Sequence, residues 1–293
     1  MNTAAKSGIF RIGGDLPVHR MGYGAMQLTG PGVWGPPQDE GNARAVLRRA
    51  LDRGIDFIDT ADVYGPNDNE RIIREALHPY PAGLVIGTKA GLVRGGPATR
   101  ENPGISMNGS EKHIRNAVEG SLRRLGLDCI ELYQLHRIDP AIPVEETMGV
   151  FRALRDEGKI RHVGLSEVGI KEIKRARSVV EIATVQNVYN LVTRMHEDVL
   201  AYCEQNGIAF IPFWPLHSGE LTKSETMRDI AAQAGATHAQ VALAWLLKKS
   251  PAIILIPGTG LIEHLEQNIA ASDISLSEPD MQTLGRLGAI SAG

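Results

Sequence analysis

The stretch Phe57-Ile58-Asp59-Thr60-Ala61-Asp62-Val63-Tyr64-Gly65 reads as a short apolar run that ends on a carboxylate, then a loop that carries a tyrosine ahead of a glycine. The run is too short for a helix and apolar enough for a strand buried on both faces. Two later stretches repeat the plan. Leu84-Val85-Ile86-Gly87-Thr88-Lys89 closes on a lysine, and Ile130-Glu131-Leu132-Tyr133-Gln134-Leu135-His136 closes on a histidine. Short runs apolar on both faces, each followed by a helix, describe a parallel sheet covered by helices.

Working outward, a hairpin is expected to turn at Gly13-Gly14-Asp15, ahead of eight strand candidates. They are Met21 to Gly24, Phe57 to Asp59, Leu84 to Lys89, Ile130 to Leu135, His162 to Leu165, Ala183 to Gln186, Ala209 to Pro212 and Ile253 to Pro257. Helical periodicity falls between them at Ala43 to Arg53, Glu70 to Leu77, Ser110 to Leu125, Val144 to Glu157, Lys171 to Arg177 and Asp198 to Asn206. Ser110 is placed to cap its helix, while Gly54, Gly126, Gly158 and Gly207 follow helix ends where a left-handed residue is needed. The expected fold is an α/β (β/α)8 TIM barrel, one domain over residues 1–293. It carries an N-terminal β-hairpin and extra helices at Thr237 to Lys249 and Pro279 to Leu287. The Gly- and Pro-rich segment from Ala90 to Asn108 is too long for a plain connector and is expected to shape a pocket.

Composition narrows the function. With 43% hydrophobic and 22% charged residues the chain is too apolar to be disordered, and a net charge of -3 leaves no electrostatic case for nucleic acid. No stretch approaches the roughly 18 apolar residues of a membrane span, and no apolar leader is evident, so the expected compartment is the cytoplasm. Oligomeric state is left open, a monomer being compatible. Two cysteines, Cys129 and Cys203, are too few for a disulfide framework or zinc cluster and read as buried small hydrophobes.

In a barrel of this kind the carboxyl ends of the strands share one mouth, which brings Asp59, Lys89 and His136 together with Tyr64. A tyrosine hydroxyl titrates near about 10, and a lysine beside it is expected to lower that value while an aspartate holds the ammonium charged. A neutral His136 can orient a carbonyl oxygen toward Tyr64, leaving its carbon open to a nucleophile. No cysteine or activated serine is placed for that role, and a nicotinamide hydride fits it. Taken singly, each residue also reads as a cap, turn or loop contact; the joint placement favours catalysis. His19, His78, His113, His162, His196 and His238 lack metal-ligand spacing, and Arg123-Arg124 and Lys248-Lys249 read as solvated helix ends. Gly30-Pro31-Gly32 has no Gly-Lys-Ser after it and is not a phosphate loop. Two alternatives remain: a Schiff-base aldolase using Lys89, and a metal-dependent hydrolase, for which paired histidines are missing.

The motifs resemble those of the aldo-keto reductases in order and spacing. They are Asp59-Thr60-Ala61 with Tyr64-Gly65, Thr88-Lys89, Leu132-Tyr133 with His136, Gly164-Leu165-Ser166, Gln186-Asn187 with Tyr189-Asn190, and Ile256-Pro257-Gly258-Thr259. The resemblance runs from about Phe10 to Leu287 and implies reduction of an aldehyde or ketone with NADP(H), Tyr64 being the general acid. By resemblance to barrels of this family, a third alternative is a non-enzymatic NADP-binding redox sensor. It further implies that Ser166, Glu167 and Gln186 hold the carboxamide, Phe213 stacks on the nicotinamide, and Trp214, Leu216 and Ser218 line the pyrophosphate. Gly258, Thr259, His264, Gln267 and Asn268 would surround the adenosine phosphate, where a helix start near Leu261 offers free amides. Two positions depart from the family pattern. Glu167 replaces a common Asn and, ionised, cannot donate to the carboxamide oxygen, while Gly258 and His264 replace frequent Lys and Arg contacts. Tyr23-Gly24-Ala25-Met26-Gln27-Leu28, the segment Gly30 to Pro37 and Pro212-Phe213-Trp214-Pro215-Leu216 are similar to the pyridoxal reductase branch of that family. That likeness implies pyridoxal as substrate, with Trp34 as an aromatic wall of its pocket.

Overall fold

The computed structural model describes residues 3–99, 101–216 and 224–287. Strands β1 (Ile9–Ile12) and β2 (Leu16–His19) form an antiparallel hairpin, turned by Gly13 and Gly14 at φ 61° and 86°. The chain then lays down β3 (Tyr23–Gly24), α1 (Glu40–Asp52), β4 (Phe57–Asp59), α2 (Asp68–Leu77) and β5 (Val85–Ala90). A small hairpin, β6 (Leu92–Arg94) with β7 (Ile105–Met107), occupies the long Gly- and Pro-rich segment, so that segment is partly ordered by its own pairing. Next come α3 (Glu111–Leu125), β8 (Ile130–Leu135), α4 (Val144–Asp156), β9 (Ile160–Ser166), α5 (Ile170–Arg177), β10 (Ile182–Gln186), α6 (Glu197–Gln205) and β11 (Ala209–Phe210). Helices α7 (Glu225–Gln233), α8 (His238–Lys249), α9 (Ile262–Ala270) and α10 (Glu278–Leu287) complete the described chain.

Seven of these strands make one sheet in the order β11-β10-β9-β8-β5-β4-β3, with every pair parallel. The expected eighth strand is reduced to single bridges: Leu255 pairs with Met21 on one side and Ile253 with Phe210 on the other. Those two bridges join the sheet's first and last strands and close the (β/α)8 barrel. Most other elements fall within a few residues of their expected bounds. The caps hold as well: Ser110 accepts from His113 N–H, and Gly54, Gly126, Gly158 and Gly207 all have φ between 66° and 82°.

The barrel interior is layered by the two-residue period of its strands. Its lower layer is apolar, with Phe57, Val85, Leu132, Ala209 and Ile254 packed against Ile12 and Val18 of the hairpin. The hairpin thus plugs the amino ends of the strands. Asp15 at its turn pins it to β9, meeting Arg161 and His162 at 2.8 Å each. Toward the carboxyl ends the strands carry Asp59, Lys89, Gln134, Thr184 and Gln186, all buried. A Cβ on Gly164 would stand 2.1 Å from Thr184 Oγ1 and 2.7 Å from Gln134 Cγ, so only glycine admits this polar layer. Polar groups at the carboxyl ends and a plug at the amino ends leave a single open mouth for chemistry.

Candidate active site

Asp59, the last residue of β4, and Lys89, near the end of β5, are both buried and joined by an ion pair of 2.5 Å from Lys89 Nζ to Asp59 Oδ1. Lys89 Nζ also donates to the Thr60 carbonyl at 2.8 Å. The second carboxylate oxygen, Asp59 Oδ2, accepts from Gln186 Nε2 at 3.0 Å and Gln134 Nε2 at 3.2 Å, and Gln134 Oε1 accepts in turn from Thr184 at 3.1 Å. A buried charge is tolerable only when partnered in this manner. Although burial works against the ammonium, Asp59 and Tyr64 outweigh it and hold the Lys89 pKa above its ordinary value.

Tyr64 is carried by the loop after β4, with Lys89 Nζ 5.2 Å from its ring centroid. His136, the residue after β8, meets the same ring edge-on at a centroid distance of 5.8 Å. Thus Asp59, Tyr64, Lys89 and His136 converge. Lys89 lowers the Tyr64 pKa as expected, yet the net shift is upward, because burial outweighs the lysine and Asp59 opposes it. His136 is held well below the usual imidazole range by burial, with Lys89, Arg137 and Arg94 adding to the effect. Its Nδ1 is buried without a partner among the described residues. A bare acceptor there costs less than an orphaned N–H, which assigns the single proton of the neutral ring to Nε2.

The residues matched to cofactor roles divide. Ser166, ending β9, lies beside the mouth and accepts from Arg137 Nη1 at 2.9 Å. Gln186 ends β10 and spends its amide N–H on Asp59, leaving its oxygen free to accept among the described residues. Glu167 takes a left-handed φ of 53° and gives its carboxylate to Val188 N–H at 2.7 Å, so it braces the neighbouring loop. Phe213 is half-buried, with Arg137 Cζ 5.9 Å from its ring centroid; Trp214 follows at φ 58° and is exposed. Leu216 packs at the edge of the main core, and Ser218 lies outside the described residues.

Farther along, Tyr23 donates to the Thr259 carbonyl at 2.6 Å, and the Thr259 hydroxyl accepts from Leu261 N–H at 3.0 Å. A Cβ on Gly258 would stand 2.7 Å from the Gly24 carbonyl, so the absent basic side chain has a packing cause. His264 is exposed, Gln267 half-buried and Asn268 buried on α9. Within α9 the bond back to the Leu261 carbonyl is made by Leu265, so the amides before it are available at the helix start.

Around Tyr64, the side chains of Ala61, Val63 and Leu92 form an apolar wall with Met26, Val33 and Ile105 against it. The loop after β3 closes over this wall: Gly65 N–H donates to Val33 O and Ala98 N–H to Gly32 O. Trp34 follows Val33 in that loop and is 40% exposed, as a rim residue would be. Three contributors were not read from the sequence: Gln134, Arg137 and Asn69, whose amide ties the β3 loop through Ala25 O and Leu28 O. Gln134 had a signal, since it shares the two-residue period of Leu132 and His136.

Comparison with known proteins matches the aldo/keto reductase family profile to residues 20–289. The chain belongs to that family. It is 43% identical over 277 residues to pyridoxine 4-dehydrogenase of Escherichia coli, covering 92% of this chain and 95% of the relative. It is 47% identical over 275 residues to an oxidoreductase of Schizosaccharomyces pombe, covering 94% and 88%. Among solved structures it is similar to a thermostable aldo-keto reductase crystallised with epalrestat, at TM-score 0.82 and 30% identity over 96% of this chain and 99% of that one. An aldo-keto reductase of Klebsiella pneumoniae in complex with NADPH aligns at TM-score 0.78 and 30% identity, covering 95% and 94%. As a member of this family the chain is an oxidoreductase, and its barrel is the family's.

Proposed function

We propose that this enzyme reduces an aldehyde or ketone to an alcohol with NADPH, and that Tyr64 is its general acid. The observation that carries the reading is the convergence of a protonated tyrosine, a paired lysine and a neutral histidine at one barrel mouth. The residues present fit NADP(H): the Ser166 hydroxyl and the Gln186 oxygen suit a carboxamide, the half-buried Phe213 ring suits a nicotinamide face, and the start of α9 suits a phosphate. NADPH bound there supplies the hydride.

The chain's own residues then manage one proton. His136 Nε2–H and the Tyr64 hydroxyl both donate toward the carbonyl oxygen, so negative charge developing there is met before the proton moves. Tyr64 gives up its proton to that oxygen, and Lys89 stabilises the phenolate left behind. Asp59, held by two amides, keeps Lys89 charged throughout. The same pairing argues against the aldolase, since a Schiff base needs a neutral amine and Lys89 is held protonated.

Within this activity we assign pyridoxal as a substrate, supported by 43% identity to pyridoxine 4-dehydrogenase and by the Trp34 loop. We place the enzyme in the cytoplasm; no helix among the described residues is long and apolar enough to cross a membrane. The test is NADPH oxidation with pyridoxal and simple aldehydes, for wild type and Tyr64→Phe. Turnover should fall by about a thousandfold or more in the variant while NADPH binding persists. Full activity in Tyr64→Phe would sink the assignment, and an absence of pyridoxal turnover beside active simple aldehydes would remove only the substrate.

A further inference from the structure

We propose that Arg137 determines substrate specificity: its guanidinium receives an anionic oxygen carried beside the reacting carbonyl, which makes aldehydes with an ortho phenolate the preferred class. This rests on the carbonyl-reductase reading above. Arg137 directly follows His136, and its Nη1 donates to the His136 carbonyl at 2.6 Å and to Ser166 Oγ at 2.9 Å, which fixes the guanidinium within the mouth. Its Nε and Nη2 have no acceptor among the described residues.

Near Tyr64 stands a second half-buried guanidinium, Arg94, tied among the described residues by Nε to Val63 O at 3.0 Å and by Nη1 to Pro103 O at 3.1 Å. The neighbouring ion pairs, Lys89 with Asp59 and Arg124 with Glu70, leave both arginines without a carboxylate partner among the described residues. Glu167 is felt by Arg137, but one of its oxygens is committed to Val188 N–H. The mouth therefore holds two cations without a directly bonded carboxylate among the described residues, beside a neutral imidazole and a neutral phenol. Half-buried guanidinium N–H groups regain their lost hydration best from an anionic acceptor.

The rest of the pocket states what must carry that anion. Val63 and Leu92 line it, with Val33 and Ile105 packed against them, so the body of the substrate is apolar. The Arg137 guanidinium is bonded to Ser166 beside the mouth and its charge acts on both Tyr64 and His136, so it lies where an anionic oxygen carried next to the reacting carbonyl would meet it. An ortho phenolate meets that demand, as does the phenolic oxygen next to the aldehyde of pyridoxal.

The test compares kcat/KM for 2-hydroxybenzaldehyde and 2-methoxybenzaldehyde at pH 9, in wild type, Arg137→Met and Arg137→Lys, with NADPH affinity measured in each. Wild type should favour the hydroxy compound. In Arg137→Met the hydroxy-to-methoxy ratio should fall about 10- to 100-fold, mainly through KM, the worth of a charge-assisted hydrogen bond. Arg137→Lys should restore part of the ratio, which separates lost charge from a misfolded variant. An unchanged ratio in Arg137→Met, or equal losses on both aldehydes with weakened NADPH binding, overturns the inference and leaves carbonyl reduction standing. If wild type oxidises NADPH with neither aldehyde nor any simple carbonyl, the parent reading falls and takes this inference with it.

Discussion

Thr88 and Lys89 are neighbours on β5, face opposite sides of the sheet, and each anchors a buried ionic cluster. Inside the barrel, Lys89 and Asp59 are surrounded by Thr60 O, Gln134 and Gln186, and they open only toward Tyr64 and His136. Outside it, Thr88 donates to Glu70 of α2 at 2.7 Å, and Glu70 pairs with Arg124 of α3 at 2.7 Å, beneath the helix layer. The inner cluster is saturated with partners. The outer one is not: Asp62 Oδ1 and the Tyr133 hydroxyl are both buried without a partner among the described residues. Full satisfaction locks the Asp59–Lys89 pair on which the proposed chemistry depends, while His136 at its edge keeps a bare Nδ1; the outer cluster has only to join two helices to the sheet.

Lys89→Met is the strongest way to break this division. It removes the cation that stabilises a Tyr64 phenolate, so kcat should fall by about a thousandfold or more, measured as NADPH oxidation. The change also leaves Asp59 buried beside two amides without its counter-ion, and thermal stability should fall with it. A variant that loses stability while keeping near-normal turnover would reduce the inner cluster to the structural role assigned to the outer one.

Arg124→Met tests the converse. Glu70 is fully buried, and without its guanidinium it retains, among the described residues, only the Thr88 hydroxyl as a donor, so unfolding free energy should drop by about 3 kcal/mol in denaturant titrations. Turnover of folded enzyme should stay within about threefold of wild type, because the pair lies on the far face of β5 from Lys89. A much larger loss of kcat would show that the outer cluster sets the inner one's geometry.

These two clusters also mark what was legible in the sequence. Asp59, Lys89 and His136 each end an apolar run, and barrel topology alone brings such ends together, so the inner cluster could be read before any coordinate was known. Arg124 was read as a solvated helix end. Its partner Glu70 lies 54 residues away on another helix, a distance at which periodicity carries no pairing information. The rise in the Tyr64 pKa was missed for a related reason: charge is visible in a sequence, but the depth of burial that outweighed it is not. The last strand was expected over several residues and exists as two bridges, because closing the barrel needs only Ile253 and Leu255 in register.

The effect most specific to the outer cluster's incomplete pairing lies in the pH dependence of stability. Burial, reinforced by Glu70 and partly offset by Arg124, pushes the Asp62 carboxyl up to about 8. In the unfolded chain it titrates near about 3.9, so between these values the unfolded state has released a proton that the native state still holds. Native stability therefore falls as pH rises through this window and is fully preserved only below it. Asp62→Asn keeps the shape and removes the titration. The stability difference between variant and wild type should accordingly grow with pH, by about 4 kcal/mol between pH 5 and pH 8.5 in thermal melts, with the variant the more stable at the alkaline end. A difference that stays constant across that range would mean Asp62 is ionised in the native protein, and the outer cluster would then be as well paired as the inner one.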